Sequence, residues 1–221
     1  MEQFLILSHV VSGGIVLFLG LINLLNRKGQ KNHIIIGKVY VGSMWWICIS
    51  AVSIIAFYRF SFFLMVIAVI SFYTSFVGVR VLRRKKLGSE SWYDWLAAIA
   101  TSLFGVALLG YAVFLFSRTS HTMLASLCIV FGILTFNNGF RDIKFFLKPG
   151  MPEKKWWLYQ HIGAISGSYI AAVTAFVVQN GRTFFPTWDH QWLFWVLPGV
   201  IGTPLITLTI KKYQKMNAAS S

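Results

Sequence analysis

Five histidines are the side chains here best suited to chemistry near neutral pH: His9, His33, His121, His161 and His190. An imidazole can take up or release a proton, ligate a metal or hold a haem, because its ordinary pKa lies close to physiological pH. His161 is the most demanding of the five. It follows "KKWWLYQ" and opens the run "HIGAISGSYIAAVTAF", which with its flanks is about as long as a bilayer crossing. An ionisable group in hydrocarbon costs from ~2.5 kcal/mol upward, so such residues usually face a protein interior, a cavity or a cofactor.

The elements that position these rings are membrane spans. Of 221 residues, 57% are hydrophobic and only 12% charged, against roughly 25% charged in an average soluble domain. The net charge of +14 raises the question of nucleic acid, and the placement of the charges answers it. Lysine and arginine fall almost entirely in short loops between apolar runs, with no basic helix face interleaved with aromatics, so a nucleic-acid partner is not expected. Cys48 and Cys128 lie inside apolar segments and form no spaced metal motif. The opening "MEQFLILSHVVSGG" lacks a basic stretch before its apolar run and reads as the start of the first span.

Apolar runs long enough to cross ~30 Å of hydrocarbon predict seven helices. They cover about Phe4 to Leu25, Ile35 to Phe57, Phe60 to Val79, Trp95 to Phe116, Met123 to Asn138, Trp157 to Val178 and Trp192 to Ile210. Lipid offers backbone groups no partner, so the fold class expected is all-α, a seven-transmembrane helix bundle forming a single integral membrane domain. Basic residues set the orientation: of twenty, only Arg59, Arg118 and Arg182 fall on one side, which places the N-terminus outside and the C-terminus in the cytoplasm. The expected location is the bacterial cytoplasmic membrane, with the lipid bilayer as partner. Trp92, Trp95, Trp156, Trp157, Trp188 and Trp192 cluster at the span ends, as amphipathic rings should. The longest connection, "FRDIKFFLKPGMPEKKW", suggests a short separate helix at the cytoplasmic interface, broken by Pro149 and Pro152. The closing "NAASS" reads as a frayed tail.

Depth divides the polar residues into two groups. The cytoplasmic half gathers His33, Tyr40, Asp94, Asn137, Arg141, Asp142 and His161, an imidazole, carboxylate and amide set suited to a proton relay, an anion site or a metal site. Asp94, Arg141 and Asp142 also sit where side chains cap helix ends and pair with one another. The outer half holds His9, His121 and His190. At 1.5 Å per residue His9 and His161 lie roughly 15–20 Å apart along the membrane normal, so one site does not contain both. Gly163, Gly167 and Ala171 repeat at the spacing that lets helices approach closely, with Ser168 and Thr174 able to hydrogen-bond across, and Gly13, Gly14 and Gly20 make the first helix slim. Pro198 and Pro204 are expected to kink the last helix.

Three stretches carry a family likeness: "SHVVSGGIVLFLGLINLLNRKGQKNHIIIGKVYV", "NNGFRD" and "WWLYQHIGAISGSYIAAVTAF". Together they resemble a bacterial multi-pass membrane family known as domain-of-unknown-function family 2306. The resemblance implies that His9; His33, Gly37 and Tyr40; and His161, Tyr169 and Ala172 are the family's recurring positions. The basic residue usual after the second histidine is Ile34 here. The family brings no activity with it.

Three functions are consistent with these residues. In the first, the histidines form a proton-coupled or small-solute site for a small-molecule or ion ligand. In the second, a b-type haem is held by paired imidazoles, His33 with His161 on the inner side or His9 with His121 or His190 on the outer. In the third, His33, His161 and Asp94 or Asp142 bind a metal for intramembrane hydrolysis. The seven-helix zinc amidases of ceramide-like lipids have the same helix count but an HxxxH pair in the last span, absent here. A retinal protein is excluded by chemistry, since the last span has no lysine before Lys211. No nucleophile elbow for Ser-His-Asp hydrolysis is present.

Overall fold

The computed structural model describes residues 1–148, 150 and 152–219, apart from the Arg182 side chain. Among the described residues the chain is all-α, with seven helices: α1 (Glu2–Leu25), α2 (Lys31–Phe57), α3 (Phe62–Arg80), α4 (Trp92–Arg118), α5 (Thr122–Leu147), α6 (Trp156–Phe184) and α7 (Leu193–Ala218). All seven are long and apolar enough to cross a bilayer, the mark of a multi-pass membrane protein. Burial is inverted relative to a soluble domain. Leu7, Phe18, Val200 and Leu205 are more than half exposed, while Ser50, Ser75 and Ser168 are fully enclosed. Helices in lipid gain little from hiding leucine and pack instead through small and hydroxyl residues.

The chain divides into two compact units. The first joins Met1–Val79 to Tyr159–Ser221. Within it α1 and α2 pack as a hairpin whose turn uses Gly29 at φ +80°, a conformation glycine alone adopts freely. Lys28 closes α1 by donating from Nζ to the carbonyls of Asn23 (2.8 Å) and Leu24 (2.7 Å). Val16, Tyr40 and Met44 form the buried centre, with Ile165 and Tyr169 of α6 packed against it. Gly20 has no Cβ because that space belongs to the rings of Tyr169 and Tyr40. At Gly78 of α3, a Cβ would sit 2.6 Å from Ile165 Cγ1.

The second unit is Arg80–Leu158. Here α4 and α5 lie backbone to backbone. A Cβ on Gly105 would strike the main chain at Phe136, and one on Gly139 would strike the Ala98 carbonyl and lie 2.5 Å from Ser102 Oγ. In the first turn of α4, Asp94 forms a two-point ion pair with Arg80, accepting from Nε at 2.9 Å and from Nη2 at 2.7 Å. The same carboxylate caps the helix by accepting the Ser91 N–H at 2.9 Å.

Three sequence expectations need correction. Among the described residues there is no separate interfacial helix: α5 continues unbroken through "NNGFRDIKFFL" to Leu147. Gly139 does not break it, because tight packing against α4 compensates its poor helix propensity. Pro149 lies outside the described residues, as do the final two serines of the tail. Of the glycines named from their spacing, Gly20 is closely packed and the others are not. A Cβ at Gly163 or Gly167 would make only ordinary contacts of 3.7 Å and 3.8 Å, and Gly13 and Gly14 have nothing within 4 Å. Lastly α6 and α7 extend past their apolar cores to Phe184 and Ala218.

Candidate functional site

The first unit carries a polar seam on facing sides of α1, α2 and α6. At the end near the α1–α2 turn, His161 Nδ1 lies 2.7 Å from the Gly78 carbonyl. A carbonyl only accepts, so Nδ1 carries the proton and Nε2 the lone pair, the tautomer that leaves a nitrogen ready to take a proton or a ligand. His33 is close enough to interact electrostatically with both His161 and Lys28, and Lys28 acts on His161 as well. The His33 ring turns toward the Asn23 carbonyl, which also receives Lys28. Lys28 lies in the turn outside the spans, and burial pulls its ammonium below the usual lysine range. Around the α1–α2 turn three polar atoms are buried without a hydrogen-bond partner among the described residues: Asn23 Oδ1, Asn26 Nδ2 and His33 Nδ1. Such groups are few in folded proteins and usually mark a water, an ion or a functional site.

Two helical turns deeper, about 10 Å along the axis, Tyr40 stands seven residues from His33 and Ser168 seven from His161. Tyr40 Oη and Ser168 Oγ are 2.8 Å apart. Ser168 gives its own proton to the Ile165 carbonyl at 2.8 Å, so Tyr40 is the donor. Beside them Tyr169 donates to the Leu17 carbonyl at 3.1 Å. Near the far end of α2, His9 Nδ1 is 2.9 Å from Ser50 Oγ. Ser50 donates back to Trp46 and Ile47 carbonyls, which makes His9 the donor in that pair and again leaves Nε2 with the lone pair. From His33 to Ser50 the seam runs along 17 residues of α2, about 25 Å, close to the hydrocarbon thickness of a bilayer.

The hydroxyl rung gives a limited prediction. Tyr40→Phe removes one donor while Ser168 keeps its bond to Ile165, so the loss should be about 0.5–1.5 kcal/mol. Denaturant unfolding in detergent measures it, and a loss above 3 kcal/mol would mean the hydroxyl has partners beyond Ser168.

The sequence-predicted residues separate as follows. His33, Tyr40 and His161 belong to the first unit and line the seam. Asp94, Asn137, Arg141 and Asp142 belong to the second. There Asp94 is occupied by Arg80 and Ser91, which accounts for it structurally. Asn137 and Arg141 share an exposed face of α5, whereas Asp142 is buried. On the other side His9 is joined to Ser50, and His190 stands exposed against Trp188 with ring centres 6.0 Å apart. His121 is exposed at the start of α5, in the second unit. Among the described residues no three His, Cys, Asp or Glu side chains gather to hold a metal ion. Asn23, Asn26 and Lys28 were not among the sequence candidates. Their signal was the "NLLNRK" spacing, which puts two amides on one face of the last turn of α1 and a cation just past it. Comparison with protein-family models, curated proteins and solved structures gives no match.

Proposed function

We propose that this chain is a protein of the bacterial cytoplasmic membrane, N-terminus outside, whose first unit carries a proton-coupled site for a small polar solute. The observation that carries the reading is the trio of buried polar atoms on Asn23, Asn26 and His33 at the α1–α2 turn, without hydrogen-bond partners among the described residues, with Lys28 and His161 acting electrostatically on His33. These groups offer a solute both donors and acceptors, and the two imidazoles give it a proton-exchange partner. The rungs at Tyr40–Ser168 and His9–Ser50 supply hydroxyls and a further imidazole along which protons could be passed. The one-sided distribution of basic loops supports the orientation. Membership of family 2306 belongs to the same proposal.

The test is the small-molecule content of protein purified in mild detergent at pH 6 and pH 8, read by mass spectrometry after denaturation. Wild type should release a solute in an amount that depends on pH, while His161→Ala and Asn26→Ala, folded by circular dichroism, should release at least roughly tenfold less. A wild-type extract indistinguishable from that of His161→Ala at both pH values would sink the reading.

One observation favours a second reading. A carbonyl-tethered Nδ1 with a free Nε2, as at His161, and a second imidazole within electrostatic range, as at His33, are features that paired imidazole ligands of a b-type haem would need. A dithionite-reduced absorption spectrum of the same sample decides it: a haem b α-band present in wild type and lost in His33→Ala and His161→Ala supports haem.

A further inference from the structure

The second unit holds a charge for which the described residues show no hydrogen-bonded counterpart at two of its nitrogens. Arg84 is 2% exposed and lies in the non-helical stretch between α3 and α4. Its Nε and Nη1 have no hydrogen-bond partner among the described residues. The Phe146 ring lies 4.5 Å from the guanidinium carbon, which supplies a cation–π contact and no acceptor lone pair in the guanidinium plane. Asp94 is near enough to feel the charge of Arg84. Both its oxygens are already engaged, by Arg80 at 2.9 and 2.7 Å and by the Ser91 N–H at 2.9 Å. Guanidinium does not lose its proton in a protein, so Arg84 cannot escape the cost of burial by neutralising.

The flanking charges say what kind of partner completes it. Arg80, Arg83, Lys85 and Lys86 surround Arg84 in sequence, and Arg83, Lys85 and Lys86 are exposed. A potential of this sign draws an anion. Lys85 Nζ lies 4.2 Å from the centre of the Trp157 ring, and Trp92 at the start of α4 is exposed. Indoles at span ends mark the depth of lipid headgroups, where the abundant anion is phosphate and basic pockets recognise it. Arginine is the side chain best matched to phosphate oxygens.

We propose that Arg84 anchors a phosphate-binding site at the α3–α4 end of the second unit, filled by the phosphodiester of an anionic lipid or by free phosphate. Arg83, Lys85 and Lys86 attract the anion, and the buried guanidinium fixes it. Because Arg84 lies between helices, a headgroup reaches it by movement of side chains, with α3 and α4 intact.

The experiment titrates the full chain in mild detergent with short-chain phosphatidylglycerol, with the matching diacylglycerol, and with inorganic phosphate, following bound ligand by native mass spectrometry and thermal shift. Phosphatidylglycerol should bind at one per chain and raise the melting temperature, and diacylglycerol should do neither. Arg84→Gln should weaken binding at least roughly tenfold, the expectation for losing charge-assisted hydrogen bonds, with Arg118→Gln, at the opposite end of α4, changing it less than about twofold. Arg84→Lys keeps the charge and loses the planar fork, so it should fold and still bind more weakly than wild type. Inorganic phosphate binding with the same Arg84 dependence, and phosphatidylglycerol failing, assigns the site to free phosphate. Wild type binding neither probe, or Arg84→Lys and Arg84→Gln binding as wild type does, overturns the proposal. If Arg84→Gln does not fold, wild type and Arg84→Lys decide it.

Discussion

Asp94→Ala is expected to destabilise the second unit by about 3–5 kcal/mol, the range found when one partner of a buried ion pair is removed. The carboxylate is 3% exposed and holds three donors at once: two from Arg80 and the N–H of Ser91. Without it Arg80 loses its partner, Arg84 loses the nearby negative charge that it feels, and α4 loses its cap. Asp94→Asn keeps an acceptor for Ser91 and should cost less. Replacing both members together, as Arg80→Met with Asp94→Leu, should recover most of the loss, because the penalty comes from the charge left unpaired. Denaturant unfolding in detergent, with the double variant closing the cycle, measures all three. A single-variant loss below 1 kcal/mol would show that the pair has little structural weight. Asp94 is not part of the seam in the first unit, so release of a solute by folded Asp94→Asn should match wild type.

Two glycines on one helix should respond to alanine with opposite signs. At Gly105 an added methyl would run into the backbone of Phe136, which cannot rotate away as a side chain can, so α4 and α5 would have to part. Overpacking of this kind costs about 1–3 kcal/mol and occasionally more, and a main-chain collision belongs at the upper end. At Gly110, five residues further along α4, nothing lies within 4 Å. There alanine should stabilise by up to about 1 kcal/mol through helix propensity alone. Unfolding midpoints of the two variants against wild type provide the check, and equal effects would mean that the α4–α5 contact is looser than its geometry.

The seven helices could be read from the sequence because each apolar run is long, and hydrocarbon leaves a chain few alternatives. Their ends could not. Hydropathy falls at "NNGFRD" and at "KKYQKMNA", yet helices continue there, since backbone hydrogen bonding is indifferent to side-chain polarity and packing can favour the extension. The extension of α5 carries Asp142, which is buried. Glycine spacing in α6 pointed to Gly163 and Gly167, whereas the tight contacts fall at Gly78, Gly105 and Gly139. A small residue permits close approach, and only the partner surface decides whether it happens. In the seam, His33, Tyr40 and His161 were legible as polar residues in apolar company, and the cross-helix bond expected of Ser168 exists. Thr174 bonds within its own helix instead. Asn23, Asn26 and Lys28 were hidden by their position at a span end, where amides and lysines are ordinary. Nothing local distinguished Arg84 from the four cations around it; its burial is a tertiary fact.

The first unit is assembled from two pieces of chain, and this has a consequence for biogenesis. The Gly78 carbonyl awaits His161, Tyr40 awaits Ser168, and the cleft at Gly20 awaits Tyr169. About ninety residues separate the end of α3 from those partners, so at a ribosomal rate of roughly 5–20 residues per second the N-terminal hairpin stands incomplete for about 5–20 seconds. Meanwhile the second unit, continuous in sequence, emerges whole and can close first. Lesions in α6 are therefore expected to accumulate as half-made N-terminal helices held by the insertion machinery and cleared by membrane proteases, a phenotype of translation and turnover that precedes any loss of binding.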